Sequence, residues 1–226
     1  MSQNRREFIE HLTAGAMLAG VPFSADVVRA FAPPSRPSAR AEEFDVTWTK
    51  RVNGKYRAVM DVPEIDSGYG VWRASFWVKD YVDNLQATPK DCSSVLVLRH
   101  NGIALAMQQS FWDTYGVAKK NSVKHPMTQQ DTDRNPALLS SSRGEVAAMF
   151  DDLALDKFIG RGGIALACNL AFGDMIELVT KKDGGTPEAA RQTAIAGLVP
   201  GVILQPSGVF AALHAQDVGC KYLRAS

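Results

Sequence analysis

The chain has 226 residues, 46% of them hydrophobic and 22% charged, which supplies one sizeable core and matches an ordinary globular protein. Its 25 basic and 24 acidic residues leave a formal charge of +1, with no basic patch interleaved with aromatics, so nucleic acid is not an expected partner. Three cysteines, Cys92, Cys168 and Cys220, have neither CxxC nor zinc-ligand spacing, and no metal or cofactor is expected.

The N-terminus differs in composition from the rest. Asn4-Arg5-Arg6-Glu7-Phe8-Ile9 precedes a modest apolar stretch from Leu12 to Val21, then a Pro/Ala/Ser/Arg-rich run from Ala30 to Ala41. A charged n-region, a short apolar region and a small-residue cleavage site are the parts of an export signal. Ala39-Arg40-Ala41 offers such a site, with Val28-Arg29-Ala30 as a second. Arg5, Arg6 and Phe8 resemble the core of a twin-arginine (Tat) signal, departing from it at Asn4 and Glu10. The resemblance implies a Tat translocon as transient partner and a periplasmic destination, with membrane anchoring if the signal is not cleaved. The apolar stretch is shorter than the roughly 20 residues that span a bilayer. Residues 1–41 therefore read as signal and linker, and 42–226 as one domain. In an oxidising compartment, three cysteines leave at least one free or paired between chains.

Along the domain, the alternation Phe44, Val46, Trp48 predicts an edge strand over 44–51. After the turn dipeptide Asn53-Gly54, residues 55–62 read as a core strand stopped by Pro63. Apolar residues at helical spacing predict a helix over 68–85. The run Ser94 to Leu98 is a strand, and a helix is expected through Ile103, Leu105, Met107, Phe111 and Trp112. Residues 115–144 are polar and irregular and read as an insertion. A helix is predicted over 145–158, a buried strand ending at Cys168, and helices from Asn169 to Lys182 and from Thr186 onward, with Thr186 as N-cap. The strand 202–204, a helix over 209–218 and a last short strand from Cys220 to Leu223 complete the pattern. Continuous apolar strands alternating with helices belong to a parallel sheet covered on both faces.

In such a sheet, ligands sit at the carboxyl ends of the strands. That edge gathers Asp61 and Glu64, Arg99-His100-Asn101, Cys168-Asn169, and Gln205 with Ser207. Cys168 ends a strand and starts a helix, where a thiolate is stabilised; equally, a lone cysteine among Ala and Leu suits a core. His100 is a candidate base or electrostatic partner, or else a loop histidine. Arg99, Asn101, Asn169 and Ser207 are candidate binding residues. His125 and His214 read as structural or solvated, Cys220 as core and Cys92, in the connection before Val95, as surface or semi-buried. No G-x-S-x-G elbow follows a strand, and Gly160-Arg161-Gly162-Gly163 precedes one, so neither a serine hydrolase nor a phosphate cradle is indicated.

The strand Val95 to Leu98, the segment Ile164-Ala-Leu-Ala-Cys168-Asn-Leu-Ala, and Leu198-Val-Pro-Gly-Val-Ile-Leu-Gln-Pro-Ser-Gly-Val209 leading to Ala215-Gln216-Asp-Val-Gly219 resemble the DsrE/DsrF-like proteins. The resemblance implies a flavodoxin-like, three-layer α/β fold of about five mostly parallel strands with helices on both faces, and assembly into homo-oligomers. It also implies a sulfur carrier in which Cys168 holds sulfane sulfur as a persulfide and exchanges it with a donor or acceptor protein. A non-catalytic periplasmic binding or assembly module on the same fold is the alternative.

Overall fold

A strand buried on both faces must be apolar at nearly every position, a demand that the predicted runs 94–98 and 164–168 meet and that 55–62, with Arg57 and Asp61, meets in part. In the computed structural model, which describes residues 44–226, they form β1 (Tyr56–Val62), β2 (Cys92–Leu98) and β3 (Ile164–Cys168), flanked by β4 (Ile203–Gln205) and β5 (Lys221–Arg224). The predicted signal, with Arg5, Arg6 and Phe8, lies outside the described residues, as does the 41/42 boundary. The five strands make one all-parallel sheet in the order β4-β3-β2-β1-β5. The first three crossovers step the same way across the sheet, and the last carries the chain back to the far side of β1.

That reversal distributes the helices. α1 (Tyr69–Leu85), α2 (Gln109–Tyr115), α3 (Val117–Asn121), α4 (Leu155–Gly160), α5 (Asn169–Asp183) and α6 (Pro187–Ala196) precede the return, and α7 (Gly208–Asp217) makes it. One sheet face presents Met60, Val62, Leu96, Leu98, Ala165 and Ala167 to a core with Ala74 of α1, Phe172 and Met175 of α5 and Ala194 of α6. The other presents Val59, Val95, Val97, Ile164 and Leu166 to Ala211, Ala212 and Ala215 of α7, and to Trp48. This is a three-layer, flavodoxin-like α/β fold. Val95 to Leu98 have no exposed surface, and burial stabilises each by roughly 1.5–3 kcal/mol relative to exposure.

Three segments differ from expectation. Residues 47–51 form a 3-10 helix instead of an edge strand. The Asp45 carboxylate accepts from the Thr47 backbone N–H (2.8 Å) and hydroxyl (2.7 Å), and this local turn competes with strand pairing. Residues 100–112 are a 3-10 segment, His100–Ala106, then α2, instead of one helix. Met107 bridges Leu198, and the Gln108 amide donates to the carbonyls of Ala196 and Leu198, pulling the chain straight between them. Residues 145–158 divide into a 3-10 segment, Ala148–Leu153, and α4, because Ala147 and Ala154 are extended. Phe150 stacks on Trp72 of α1 with ring centroids 5.2 Å apart, which sets that irregular path.

The polar stretch 115–144 contains the short helix α3 and 3-10 turns at Pro136–Leu138 and Ser141–Arg143, is otherwise irregular as expected, and is anchored. Asn135 is fully buried, and its amide donates to the carbonyls of Leu105 (3.2 Å) and Met107 (2.7 Å) while its oxygen caps Ala137. These bonds tie the insertion to the segment that follows β2.

The carboxyl ends of β1 and β2 meet at Gly102, whose N–H donates to Pro63 O at 2.9 Å. A Cβ there would lie 2.2 Å from Val62 O, so only glycine fits. Gly102→Ala is expected to destabilise the protein by about 2 kcal/mol, lowering Tm by roughly 4–8 °C. A thermal melt superimposing on wild type would contradict this packing.

Candidate functional site

The sheet edge is organised by charge. Asp61, the penultimate residue of β1, is 1% exposed. A buried carboxylate is tolerated only when paired, and Arg99 supplies the pair: Nε to Oδ1 at 2.7 Å and Nη2 to Oδ2 at 2.8 Å. The Tyr222 hydroxyl of β5 donates to Oδ2 at 2.6 Å. The Arg99 stem lies against Gly208, where a Cβ would come within 2.5 Å of it. The hydrogen bond to Asp61 foremost raises the pKa of both Arg99 and Tyr222. The guanidinium of this candidate binding residue is thus engaged by the protein itself.

His100 follows in a left-handed conformation (φ 50°) and is largely exposed. Its Nδ1 lies 3.5 Å from Glu64, and Asn101 donates to the other oxygen of that carboxylate at 2.8 Å. Glu64, His100 and Asn101 form one solvent-facing cluster.

Cys168 is reached from a different direction. It closes β3, sits beside Gln205 of β4 in register, and is 6% exposed. Its sulfur caps α5, accepting from the Ala171 N–H at 3.4 Å. The 15-residue helix places its N-terminal partial charge at this sulfur. The adjacent Asn169 accepts from Arg191 of α6 at 3.0 Å, and that guanidinium lies 5.9 Å from the Phe172 ring centroid. No hydrogen bond joins His100 to Cys168 among the described residues.

Ser207 caps α7, accepting from Phe210 N–H at 3.0 Å. Gln205 is buried, accepting from Trp48 Nε1 and donating to Asp45 O. The sequence reading did not single out Arg191 or Tyr222. Arg191 is the one basic residue in Pro187–Ala196, and Tyr222 is the aromatic in a charged last strand. Cys220 is buried, its thiol pushed up to about 11 by desolvation, and Cys92 is half-buried. His125 holds a loop, with Nε2 2.9 Å from Glu145 O. No group of three or more His, Cys, Asp or Glu is arranged to hold a metal among the described residues.

The Asp61 triangle has a spectroscopic signature. Because the neutral Tyr222 phenol is the donor, its raised pKa means that this stabilisation is complete below the ordinary tyrosine value near 10 and is lost as pH rises through the higher folded value. Tyr115 titrates late independently, pushed to about 12 by burial and by Asp183. In an absorbance titration at 295 nm, Asp61→Asn is expected to move one late phenol back toward ordinary pH and leave Tyr115 late. An unchanged curve would mean that Asp61 does not hold Tyr222. No family model and no curated protein sequence matches the chain.

Proposed function

We propose that the chain is an exported DsrE-like sulfur carrier whose acceptor is the Cys168 thiolate. The observation that carries this reading is the position of Cys168 as the cap of α5 at the carboxyl end of β3, with its sulfur taking a backbone N–H. A thiolate and the persulfide made from it are both anions, and both gain from that N–H and from the helix terminus. The reaction needs no external oxidant. The thiolate attacks the outer sulfur of thiosulfate, the S–S bond breaks, sulfite leaves with the electron pair, and Cys168 carries S–S⁻. An acceptor thiolate then takes that terminal sulfur and regenerates the Cys168 thiolate.

With Cys168 only 6% exposed, small inorganic donors are expected to react ahead of protein donors. Arg99 and His100 serve the edge through Asp61 and Glu64. The resemblance of Arg5-Arg6-Glu7-Phe8 to a twin-arginine signal supports a periplasmic site of action after passage through the Tat translocon. Among the described residues no helix is long and apolar enough to cross a membrane.

A second reading, assembly with further copies of this chain, rests on α7. Its inner residues Ala211, Ala212 and Ala215 are buried on the sheet, yet Val209 and Leu213 are 62% and 57% exposed. A helix apolar on both sides is normally buried on both. Exposed Tyr222 and Leu223 add apolar surface on β5. Trp48, Trp72 and Trp112 are buried and add nothing to such a surface.

Two experiments test these readings. Intact-mass spectrometry of protein from the periplasmic fraction, after thiosulfate or polysulfide, is expected to show additions of about 32 Da that are absent in Cys168→Ala. Replacing Arg5 and Arg6 with lysine should leave the protein in the cytoplasm. An unmodified but alkylatable Cys168 would refute the carrier. For assembly, light scattering is expected to give a multiple of the chain mass in wild type and a monomer in Leu213→Glu. A monomeric wild type would refute it.

A further inference from the structure

A cleft of about 520 Å³ opens at the opposite end of the sheet from Cys168, between α1, the 3-10 segment Ala148–Leu153 and α4. Its walls are Val78, Val82, Phe150, Leu153 and Phe158, with Cys92 at the start of β2. β2 runs seven residues from this cleft toward the Arg99 edge, so about 20 Å separates the two ends. The volume lies in the range of small-molecule sites, and such sites are apolar with few polar groups at defined points.

Polar groups at the rim are sparse. Ser75 accepts from Arg161 Nη2 at 3.3 Å, and the same nitrogen donates to Asp152 O. The ion pair between Arg161 and the Asp152 carboxylate is long, at 3.5 Å, and that carboxylate is 85% exposed. A pair so screened is readily exchanged. Lys79, also on the rim, is taken by Asp83. Deeper in, the Ser94 hydroxyl is already satisfied, accepting from Trp77 and donating to Ala74 O. The interior therefore offers apolar surface, and the rim offers one planar guanidinium whose carboxylate partner is replaceable. Phe76 and Met149, 40% and 78% exposed, extend the apolar surface outward at the mouth.

We propose that this cleft binds an amphipathic monocarboxylate, its apolar body between α1 and Phe150–Phe158 and its carboxylate on Arg161. A guanidinium fork suits a carboxylate in two parallel hydrogen bonds, and the apolar walls reject a doubly charged or sugar-like ligand because its polar groups would go unpaired. The site is independent of chemistry at Cys168.

Dodecanoate is the probe. Titration calorimetry is expected to give one equivalent bound, with affinity reduced at least about tenfold by Val78→Trp, which fills the cleft. Arg161→Gln should weaken dodecanoate about tenfold while leaving dodecanol unchanged, isolating the carboxylate contact. In wild-type protein, saturating dodecanoate should slow alkylation of Cys92 by N-ethylmaleimide about tenfold, read peptide by peptide, without altering Cys168 or Cys220. Burial raises the Cys92 thiol and slows its alkylation, so rates with and without dodecanoate are compared at one fixed pH near neutrality. Absence of saturable binding, an unprotected Cys92, or a folded Val78→Trp that binds like wild type would each overturn the proposal. The Cys92 arm stands without any variant.

Discussion

The carboxylate of Asp61 ties together the ends of β1, β2 and β5 by side-chain bonds that supplement their backbone ladders. A charge at 1% exposure costs several kcal/mol of lost hydration unless its lone pairs are filled. Arg99 from the end of β2 and Tyr222 from β5 fill them, and Arg99 packs its stem on Gly208 at the start of α7. Asp61 also offers its backbone carbonyl to Ala225 at 2.7 Å. One residue on β1 thereby fixes the end of β2, the last strand and the entry to the crossover helix. β5 has just four residues, all exposed, and pairs with β1 alone. Beside this triangle, its attachment rests on a short ladder, on Arg57, which reaches Val218 O at 3.0 Å, and on bonds to the residues after it, from Arg73 to Ala225 O and from Glu64 N–H to Ser226 Oγ.

The sheet was legible because its physics is local: a parallel strand covered on both sides must be a continuous apolar run, and Val95 to Leu98 and Ile164 to Cys168 are such runs. Helix caps were legible for the same reason, as Thr186 shows by accepting from Ala189 at 3.2 Å. Misreadings fell where a side chain or a distant partner overrode periodicity. Asp45 bends the chain before Trp48 can alternate, Gln108 is drawn out by carbonyls some ninety residues away, and Phe150 answers to Trp72. At the candidate site, topology alone assembled the edge residues, but it could not pair them. That Arg99 belongs to Asp61, and His100 to Glu64, depends on side-chain direction: alternation along β1 turns Asp61 to the α7 face, beside Val59 and opposite Met60 and Val62.

This pairing changes how chemistry at the edge is to be understood. A free arginine and histidine next to a thiol would act as an anion trap and a base. Here both are held by carboxylates from the end of β1, and the polar contact of the Cys168 sulfur is the Ala171 N–H at the terminus of α5. A backbone N–H stabilises an anion in place without donating or removing protons. That suits an exchange between thiolate and persulfide, where charge stays on sulfur throughout, better than hydrolysis, which must move protons to and from water.

The apolar outer side of α7 and the exposed β5 raise a separate physical problem, because a bare edge strand next to hydrophobic surface is a template for open-ended pairing. The sequence of β5 answers it. Lys221 and Arg224 bracket Tyr222 and Leu223, so an antiparallel copy added in direct register would set cation against cation at each end. Side-chain packing through Val209, Leu213 and Tyr222, which shares the Val59 face with α7, carries no such penalty. The charge pattern therefore disfavours growth by strand addition, and the assembly proposed through α7 would instead be a closed symmetric contact that buries its apolar residues and stops.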